Sequence, residues 1–345
     1  KASHAMSMMD FKTTRRVALR NALAVGGTVL TSSHALADTP AKPRIMMMLF
    51  RGWEEACDGF SDYFVSRRKP VDLIIRDAEQ NLNQVRRFVE EANDTKPDIV
   101  YLWGTSLAIT ALGPWDAAPS SRYIRDIPCV FNIVTEPVRS GIIRSREAPG
   151  REVTGTEYIA PVTVQERAMS LYRHFDSAAT IFNPRERNSV LVVEDLRNTL
   201  QARQAKLQEL PIPLTAGGRP DPSAIPGLVA EAKASGAQWL YIPPDTFLND
   251  HRESLTNTAL AVGLPTFAAT ERFVGFAAGL AGLVSRYYSV GAFTAYKAEQ
   301  ILDGRRASSI PVETLSRMSY LIRMETARKL GLFPSLSLLK IAEPV

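Results

Sequence analysis

Four apolar runs decide the fold of this chain. They read RIMMMLF at residues 44–50, VDLIIR at 71–76, DIVYLW at 98–103 and IPCVFNIV at 127–134. Each has the length of a strand, and the intervening segments have helical spacing, most clearly 81–93. An alternation of buried strands and amphipathic helices is typical of a parallel sheet with helices on both faces.

The same plan starts again in the second half of the chain. The spacing predicts helices over 164–175, 189–208, 227–235 and 249–262, and strands over 177–182, 238–242 and 264–268. Further along, it predicts a helix over 284–302, a short strand over 310–312 and a helix over 326–330. The predicted fold class is therefore α/β, with two doubly wound parallel-sheet lobes joined by a hinge.

Length and charge narrow the choice of partners. The chain has 345 residues, which suits two domains of ordinary size, and a formal net charge of +5. Five basic residues and one acidic residue precede Asp38 and account for +4 of it, which leaves +1 for the rest. A nearly neutral body without a basic tract argues against a nucleic-acid partner.

The first 37 residues are expected to be a tag remnant followed by an export signal. Arg15 and Arg16 precede a mildly apolar stretch over 22–30, and Ala35-Leu36-Ala37 supplies a small-x-small cleavage pattern. This order resembles a twin-arginine signal cut before Asp38, and it predicts a periplasmic protein. The alternative is an amphipathic, arginine-containing helix with no role in export.

Ligands of open α/β sheets bind beyond the carboxyl ends of the strands. That rule selects the residues that directly follow each predicted strand. They are Arg51–Glu54, Gly104–Ser106, Thr135–Pro137, Asn183–Arg185, Asp245–Thr246 and Ala269–Arg272.

A block in the middle of the chain resembles a known family. The stretch IPCVFNIVTEPV at 127–138, then Gly141 and Val153–Gly155, is similar to ABC-transporter periplasmic solute-binding proteins of the tryptophan and tyrosine type. The resemblance covers about Arg44 to the C-terminus. It implies the type I periplasmic-binding fold, with no catalytic residue and no cofactor.

The resemblance also implies a division of the chain into two discontinuous lobes. Lobe 1 is expected to comprise 38–157 and 276–306, and lobe 2 to comprise 158–275 and 307–345. The chain would then cross between the lobes near Gly155–Ile159, Val274–Ala278 and Arg306–Pro311.

Two departures from the family pattern lie in the predicted cleft. Glu136 stands before Pro137 where the family usually has aspartate, and Arg51–Cys57 replaces a His-Pro-x-Leu-Asp type segment. We therefore expect a ligand other than tryptophan. It should still be small, and either aromatic or amino-acid-like.

Twelve residues are the candidate ligand-binding set. They are Trp53, Glu54, Trp103, Thr105, Ser106, Thr135, Glu136, Tyr158, Asn183, Asp245, Arg272 and Tyr287. The aromatic members offer flat faces for stacking, the hydroxyl groups after Gly104 suit a carboxylate, and the acidic members suit an ammonium or hydroxyl group. The alternatives are burial in the core for the aromatic residues, N-capping for Thr105 or Ser106, and a structural turn for Glu136.

The sequence lacks the common enzyme and metal-site motifs. It contains no G-x-S-x-G, no G-x-x-x-x-G-K-[ST], no G-x-G-x-x-G and no H-E-x-x-H. Cys57 and Cys129 belong to no metal-binding pattern, and two buried thiols are favoured over a disulfide. We therefore predict a binding protein without metal that serves an ABC permease in the inner membrane. A sensory module for a membrane receptor is the alternative, and a small α/β hydrolase is disfavoured.

Overall fold

The structure is a computed structural model, and it describes residues 41–345. The predicted leader over 1–37 lies outside the described residues. Among the described helices, none is both long enough and apolar enough to cross a bilayer.

Thirteen strands form in the described part of the chain. They are β1 (Arg44–Leu49), β2 (Asp72–Asp77), β3 (Ile99–Trp103), β4 (Cys129–Val134), β5 (Val153–Glu157), β6 (Ser177–Phe182), β7 (Lys206–Pro211), β8 (Trp239–Ile242), β9 (Thr266–Ala268), β10 (Ala281–Val284), β11 (Glu313–Thr314), β12 (Ser319–Ile322) and β13 (Ala342–Pro344).

The strands divide into two sheets, one for each lobe. The sheet of lobe 1 has the order β11-β5-β4-β3-β1-β2, and all of its pairs are parallel. The sheet of lobe 2 has the order β13-β12-β10-β9-β8-β6-β7, in which only the β10–β12 pair is antiparallel. The predicted class of two parallel-sheet α/β lobes is confirmed.

Twelve α-helices of the described part of the chain cover these sheets. They are α1 (Glu55–Ser66), α2 (Leu82–Thr95), α3 (Thr105–Leu112), α4 (Val162–Tyr172), α5 (Arg187–Ala202), α6 (Ile225–Ala234), α7 (Thr246–Asp250), α8 (Arg252–Ala261), α9 (Glu271–Gly275), α10 (Tyr287–Leu302), α11 (Met324–Leu330) and α12 (Leu336–Leu339).

The chain passes between the sheets three times, after β5, after β10 and after β11. Two of the expected crossings are therefore placed too early. The expected crossing near Val274–Ala278 precedes β10, which still pairs with β9 and β12 of lobe 2. The expected crossing near Arg306–Pro311 precedes β11, which pairs with β5 of lobe 1. The expected boundaries at 275/276 and 306/307 move to later positions for the same reason.

Four predicted elements also differ from the structure, and one of them, the helix expected over 249–262, is divided at His251 into α7 and α8. The helix expected over 189–208 ends at Ala202, and 206–211 forms the edge strand β7, whose residues range from exposed to buried without a clear alternation. The helix expected from Val284 begins at Tyr287, because Ala281–Val284 is strand β10. The strand expected over 310–312 forms at Glu313–Thr314 instead.

Helix α10 completes lobe 1 although most of lobe 2 precedes it in the sequence. Its backbone touches that of α1, and two glycines permit the approach. A Cβ atom on Gly59 would lie 1.9 Å from the carbonyl oxygen of Tyr288, and one on Gly291 would lie 1.9 Å from that of Ala56. Any side chain at either position would force these helices apart.

Each lobe has its own apolar core on both faces of its sheet. Cys57 and Cys129 are buried free thiols. The strand ends of both sheets are thereby fixed to rigid bodies, and they meet at the space between the lobes.

Candidate functional site: the cavity between the lobes

A cavity lies where the strand ends of the two lobes face each other. Lobe 1 and the first crossing contribute Phe50, Arg51, Trp103, Gly104, Thr105, Ser106, Ile133, Tyr158 and Tyr287. Lobe 2 contributes Glu186, Asn188, Pro244, Asp245, Thr246, Asn249 and Thr270. The cavity volume is about 30 Å³, which is room for water but not for an amino acid. A larger ligand therefore requires the lobes to part or side chains to move.

The wall from lobe 1 is built around a buried cation. The guanidinium carbon of Arg51 lies 4.7 Å from the ring centroid of Trp103. Its Nε donates to Oε1 of Glu54 at 3.0 Å, and both side chains are less than a tenth exposed. The Trp103 indole Nε1 is buried without a hydrogen-bond partner in the described structure. This wall therefore offers a cation and an unsatisfied donor.

The start of α3 adds further donors to the same wall. Gly104 has a positive φ of 86° and precedes the helix, and no side chain caps the first turn. The first N–H groups of a helix have no partner within the helix, and together with the helix dipole they favour an anion. The Thr105 hydroxyl accepts from the backbone N–H of Thr135 at 3.0 Å, so it joins the start of this helix to the segment that follows β4.

Two tyrosines close the cavity near the crossings. The rings of Tyr158 and Tyr287 have centroids 5.6 Å apart and meet edge to face. Tyr287 is held at the start of α10 because its backbone N–H donates to Oε1 of Glu271 at 2.6 Å. Both rings are buried, so each serves the core of lobe 1 as well as the cavity wall.

The wall from lobe 2 is built from acceptors. Oε1 of Glu186 accepts from the Thr246 hydroxyl at 2.9 Å and from Asn188 Nδ2 at 3.2 Å. Asn188 Nδ2 also donates to the carbonyl oxygen of Pro244 at 2.8 Å, which fixes the orientation of the amide. The Asn188 Oδ1 atom is therefore the free end of the amide. Like Oδ1 of Asn249, it is buried and has no hydrogen-bond partner among the described residues.

Asp245 has a structural task in this wall. Its Oδ1 accepts from the backbone N–H of Leu248 at 2.9 Å and caps α7. Its Oδ2 accepts from the backbone N–H of Asn183 and from the Ser189 hydroxyl, each at 2.7 Å. This carboxylate therefore joins the ends of β6 and β8 and has little capacity left for a ligand.

The Glu186 and Asp245 carboxyl groups lie in the same wall, and each affects the ionisation of the other. Burial, reinforced by the negative charge of Asp245, raises the pKa of Glu186 to about 8. Burial also raises the pKa of Asp245, but three donors stabilise its ionised form. We therefore place the proton on Glu186 near neutral pH.

The two walls differ in the polar groups that they present to the cavity. Lobe 1 presents the Arg51 cation, the Trp103 N–H and the start of α3, all of which are donors. Lobe 2 presents two amide oxygens, which are acceptors, and the Glu186 carboxyl group, both of whose oxygens become acceptors once it loses its proton. Buried polar groups normally have partners, so this arrangement fits a ligand with acceptors at one end and donors at the other.

An outer chamber of about 410 Å³ adjoins the cavity and shares Phe50, Ser106, Glu186 and Thr246 with it. Its remaining walls combine apolar and polar residues. The apolar ones are Leu82, Pro220, Pro222 and Phe247, and the polar or charged ones are Gln80, Asn183, Arg185, Arg219, Asp250 and His251. The chamber is large enough for a planar side chain.

The structure brings half of the predicted site residues to the cavity. Those that line it are Trp103, Thr105, Ser106, Tyr158, Asp245 and Tyr287. Asn183 lines the outer chamber instead. The other five lie outside both, namely Trp53, Glu54, Thr135, Glu136 and Arg272.

Three of those five have clear surroundings of their own. Trp53 is 45 % exposed, and its Nε1 donates to Oδ1 of Asp58 at 2.7 Å. Glu136 lies 3.5 Å from Arg146 and has a positive φ of 48°, as expected of a residue in a turn. Thr135 is buried behind α3. Their roles in binding stay predictions.

Sequence reasoning missed Glu186 and Asn188. The strand-end rule stops at Arg185, whereas both residues lie at the start of α5, just beyond it. Arg51 and Thr246 fell within the selected segments without being chosen, since single charged or hydroxyl residues in loops carry no distinguishing pattern.

The fold and the sequence agree with those of known proteins. A "Tyrosine-binding protein" of Clostridioides difficile (strain R20291) is 24 % identical over 263 residues, which is 76 % of this chain and 71 % of that protein. The structure resembles an ABC domain in complex with L-Trp from Streptococcus pneumonia, with a TM-score of 0.75 and 18 % identity over 88 % of this chain and all of the other.

A third similar protein is a ligand-free, open substrate binding protein with adhesive properties from Clostridium difficile. Its TM-score is 0.67 at 18 % identity, over 88 % of this chain and 99 % of that one. At this level of identity, both structures show a shared fold only.

The family match extends over most of the chain. Residues 56–345 match the family described as "ABC transporter substrate binding protein". With two α/β lobes and a polar cavity between them, the chain belongs to the ABC transporter substrate-binding protein family.

Proposed function

We propose that this protein captures a small zwitterionic, amino-acid-like solute outside the cytoplasm and delivers it to an ABC permease. The observation that carries the proposal is the separation of donors and acceptors across the cavity. The ligand carboxylate would bind to lobe 1, at Arg51, Trp103 Nε1 and the start of α3. The ligand ammonium group would bind to lobe 2, at Glu186 and the free amide oxygens.

The side chain of the ligand would extend into the outer chamber, between Phe50 and Phe247. Apolar surfaces on both sides suit an aromatic or large aliphatic group. The tyrosine and tryptophan named for two similar proteins have this chemistry.

A calorimetric titration with four compounds tests the proposal. The zwitterions L-tyrosine and L-tryptophan are compared with tryptamine, which lacks the carboxylate, and with indole-3-propionate, which lacks the ammonium group. We expect the better zwitterion to bind at least about tenfold more tightly than either truncated compound, since each leaves a buried group without a partner. Equal binding of a truncated compound would contradict the proposed orientation.

Mass spectrometry of the denatured, freshly purified protein gives an independent view of the ligand. We expect a retained small molecule with both an amino and a carboxyl group. A sugar or a metal complex in stoichiometric amount would overturn the proposed ligand class.

For export, we propose the twin-arginine route and cleavage after Ala37, on the pattern of residues 15–37. Replacing both arginines, as Arg15→Lys with Arg16→Lys, should keep the protein inside the cytoplasm. Mature protein outside the cytoplasm in that variant would exclude the route.

A further inference from the structure

Among residues 41–345, two sets of ion pairs join the lobes, and each lobe supplies the arginine of one set. Arg272 of lobe 2 lies 3.0 Å from Glu55 and 3.6 Å from Glu54, both of lobe 1. Conversely, Arg139 of lobe 1 lies 2.7 Å from Glu194 and 2.6 Å from Asp195, both of lobe 2. In each set a single cation reaches two adjacent carboxylates on the opposite lobe.

The two sets differ in their relation to the cavity. Glu54 is 8 % exposed and is also the partner of Arg51, the cation in the cavity wall. The Arg272 set is thus continuous with the cavity through one shared carboxylate. The Arg139 set is about a third to a half exposed and has no such connection among the described contacts.

We propose that these two arginines clamp the lobes together, and that only the Arg272 clamp is coupled to the ligand cavity. Arg272 acts as a positioning residue, because its charge lies 3.6 Å from Glu54, and Glu54 in turn holds Arg51 over Trp103. When the lobes part, Glu54 loses Arg272 and Arg51 loses part of its support. The inference extends the proposed function, although closure itself can be measured without any ligand.

The physical basis is the different solvation of the two clamps. Exposed ion pairs contribute little and are screened by salt, whereas a partly buried pair in a hydrogen-bonded set is screened much less. At 1 M salt the Debye length is only about 3 Å, so the Arg139 clamp should weaken first.

The test is the distribution of distances between two spin labels, one on each lobe. Cysteines replace the exposed residues Arg86 of lobe 1 and Ser254 of lobe 2, while the native thiols are buried and free. The background for comparison is this labelled protein without ligand. Arg197→Gln is the matched control, because Arg197 pairs with Glu209 inside lobe 2.

At low salt we expect Arg139→Gln to reduce the ratio of closed to open protein by about threefold, as for an exposed pair. Arg272→Gln should reduce it by about tenfold, as for charge-assisted bonds that are partly buried. At 1 M NaCl the effect of Arg139→Gln should disappear and that of Arg272→Gln should persist. Unchanged distances in both variants, or an equal change in Arg197→Gln, would overturn the clamps.

A double-mutant cycle with Glu54→Gln tests the coupling. Arg272→Gln should have a clearly smaller effect on closure in the Glu54→Gln background than alone, because the shared partner is already lost. Arg139→Gln should have the same effect in both backgrounds. Additive effects for Arg272 and Glu54 would refute the coupling.

The same double-mutant cycle can be measured on the affinity for L-tryptophan, which serves as a probe ligand. This measurement distinguishes a failure of the clamps from a failure of the proposed ligand class. If L-tryptophan and the other zwitterions fail to bind the parent protein, the ligand class is wrong. The closure measurements still decide the clamps, since they require no ligand.

Discussion

The two walls of the cavity have the same architectural origin and opposite chemistry. Each wall consists of residues that follow parallel strands, yet lobe 1 presents a cation and donors while lobe 2 presents a carboxyl group and acceptors. The shared architecture decides where the site lies. The residues at the strand ends decide which end of the ligand each lobe receives.

The largest expected effect comes from removing the charged group of one wall. We expect Arg51→Ala and Glu186→Ala each to weaken binding of the zwitterionic ligand by about 100-fold, because each leaves one ligand charge buried without its partner. The measurement is a calorimetric titration, with Arg197→Ala as a control for loss of an arginine away from the cavity. Loss in only one of the two variants would mean that a single wall dominates recognition.

A change of pH should have an intermediate effect on affinity, and this effect should arise from Glu186 in the wall of lobe 2. An ammonium group requires an ionised Glu186, whose pKa in the free protein is raised to about 8 by burial and by Asp245. Affinity should therefore rise between pH 6 and 8, by up to about tenfold per pH unit. In Glu186→Gln this rise should be absent, and a persistent rise would assign the titration to another group.

The same shift has a consequence for stability, with the opposite sign. Because the pKa of Glu186 is higher in the folded than in the unfolded protein, the folded state binds more protons between about pH 4.5 and 8. Without ligand, stability should therefore fall as pH rises through this range. Melting curves of Glu186→Gln should show a smaller fall.

The smallest expected effect is the difference in affinity between variants of two tryptophans near the wall of lobe 1. Trp103 lines the cavity and is 3 % exposed, whereas Trp53 is 45 % exposed and lies outside its lining. We expect Trp103→Ala to lower both the affinity and the melting temperature, and Trp53→Ala to change affinity less than about threefold. A larger loss of affinity in Trp53→Ala at an unchanged melting temperature would restore the stacking role that the sequence suggested.

The local sequence pattern predicts which residues follow the strands. It does not predict the contacts that these residues make with one another. Thr105, Ser106 and Asp245 directly follow buried strands, so a rule based on strand ends finds them. Glu186 reads as one charged residue among several in a polar loop, and its burial arises only when the loop after β6 meets Thr246 after β8. The sequence pattern places the second and third crossings too early, because β10 and β11 are short and pair with strands distant in the sequence.

The contact between α1 and α10 has a consequence for when lobe 1 can finish folding during synthesis. Lobe 1 begins at the first strand, yet its glycine-mediated helix contact requires residues 287–302, which are synthesised only after β6–β10 of lobe 2. During synthesis from the N-terminus, the first half therefore emerges with an apolar helix face uncovered. Such exposed surface favours association with other chains. A fragment that ends at residue 157 should aggregate, because it contains α1 without α10. A fragment that starts after residue 157 does not contain α1, so it does not expose this helix face.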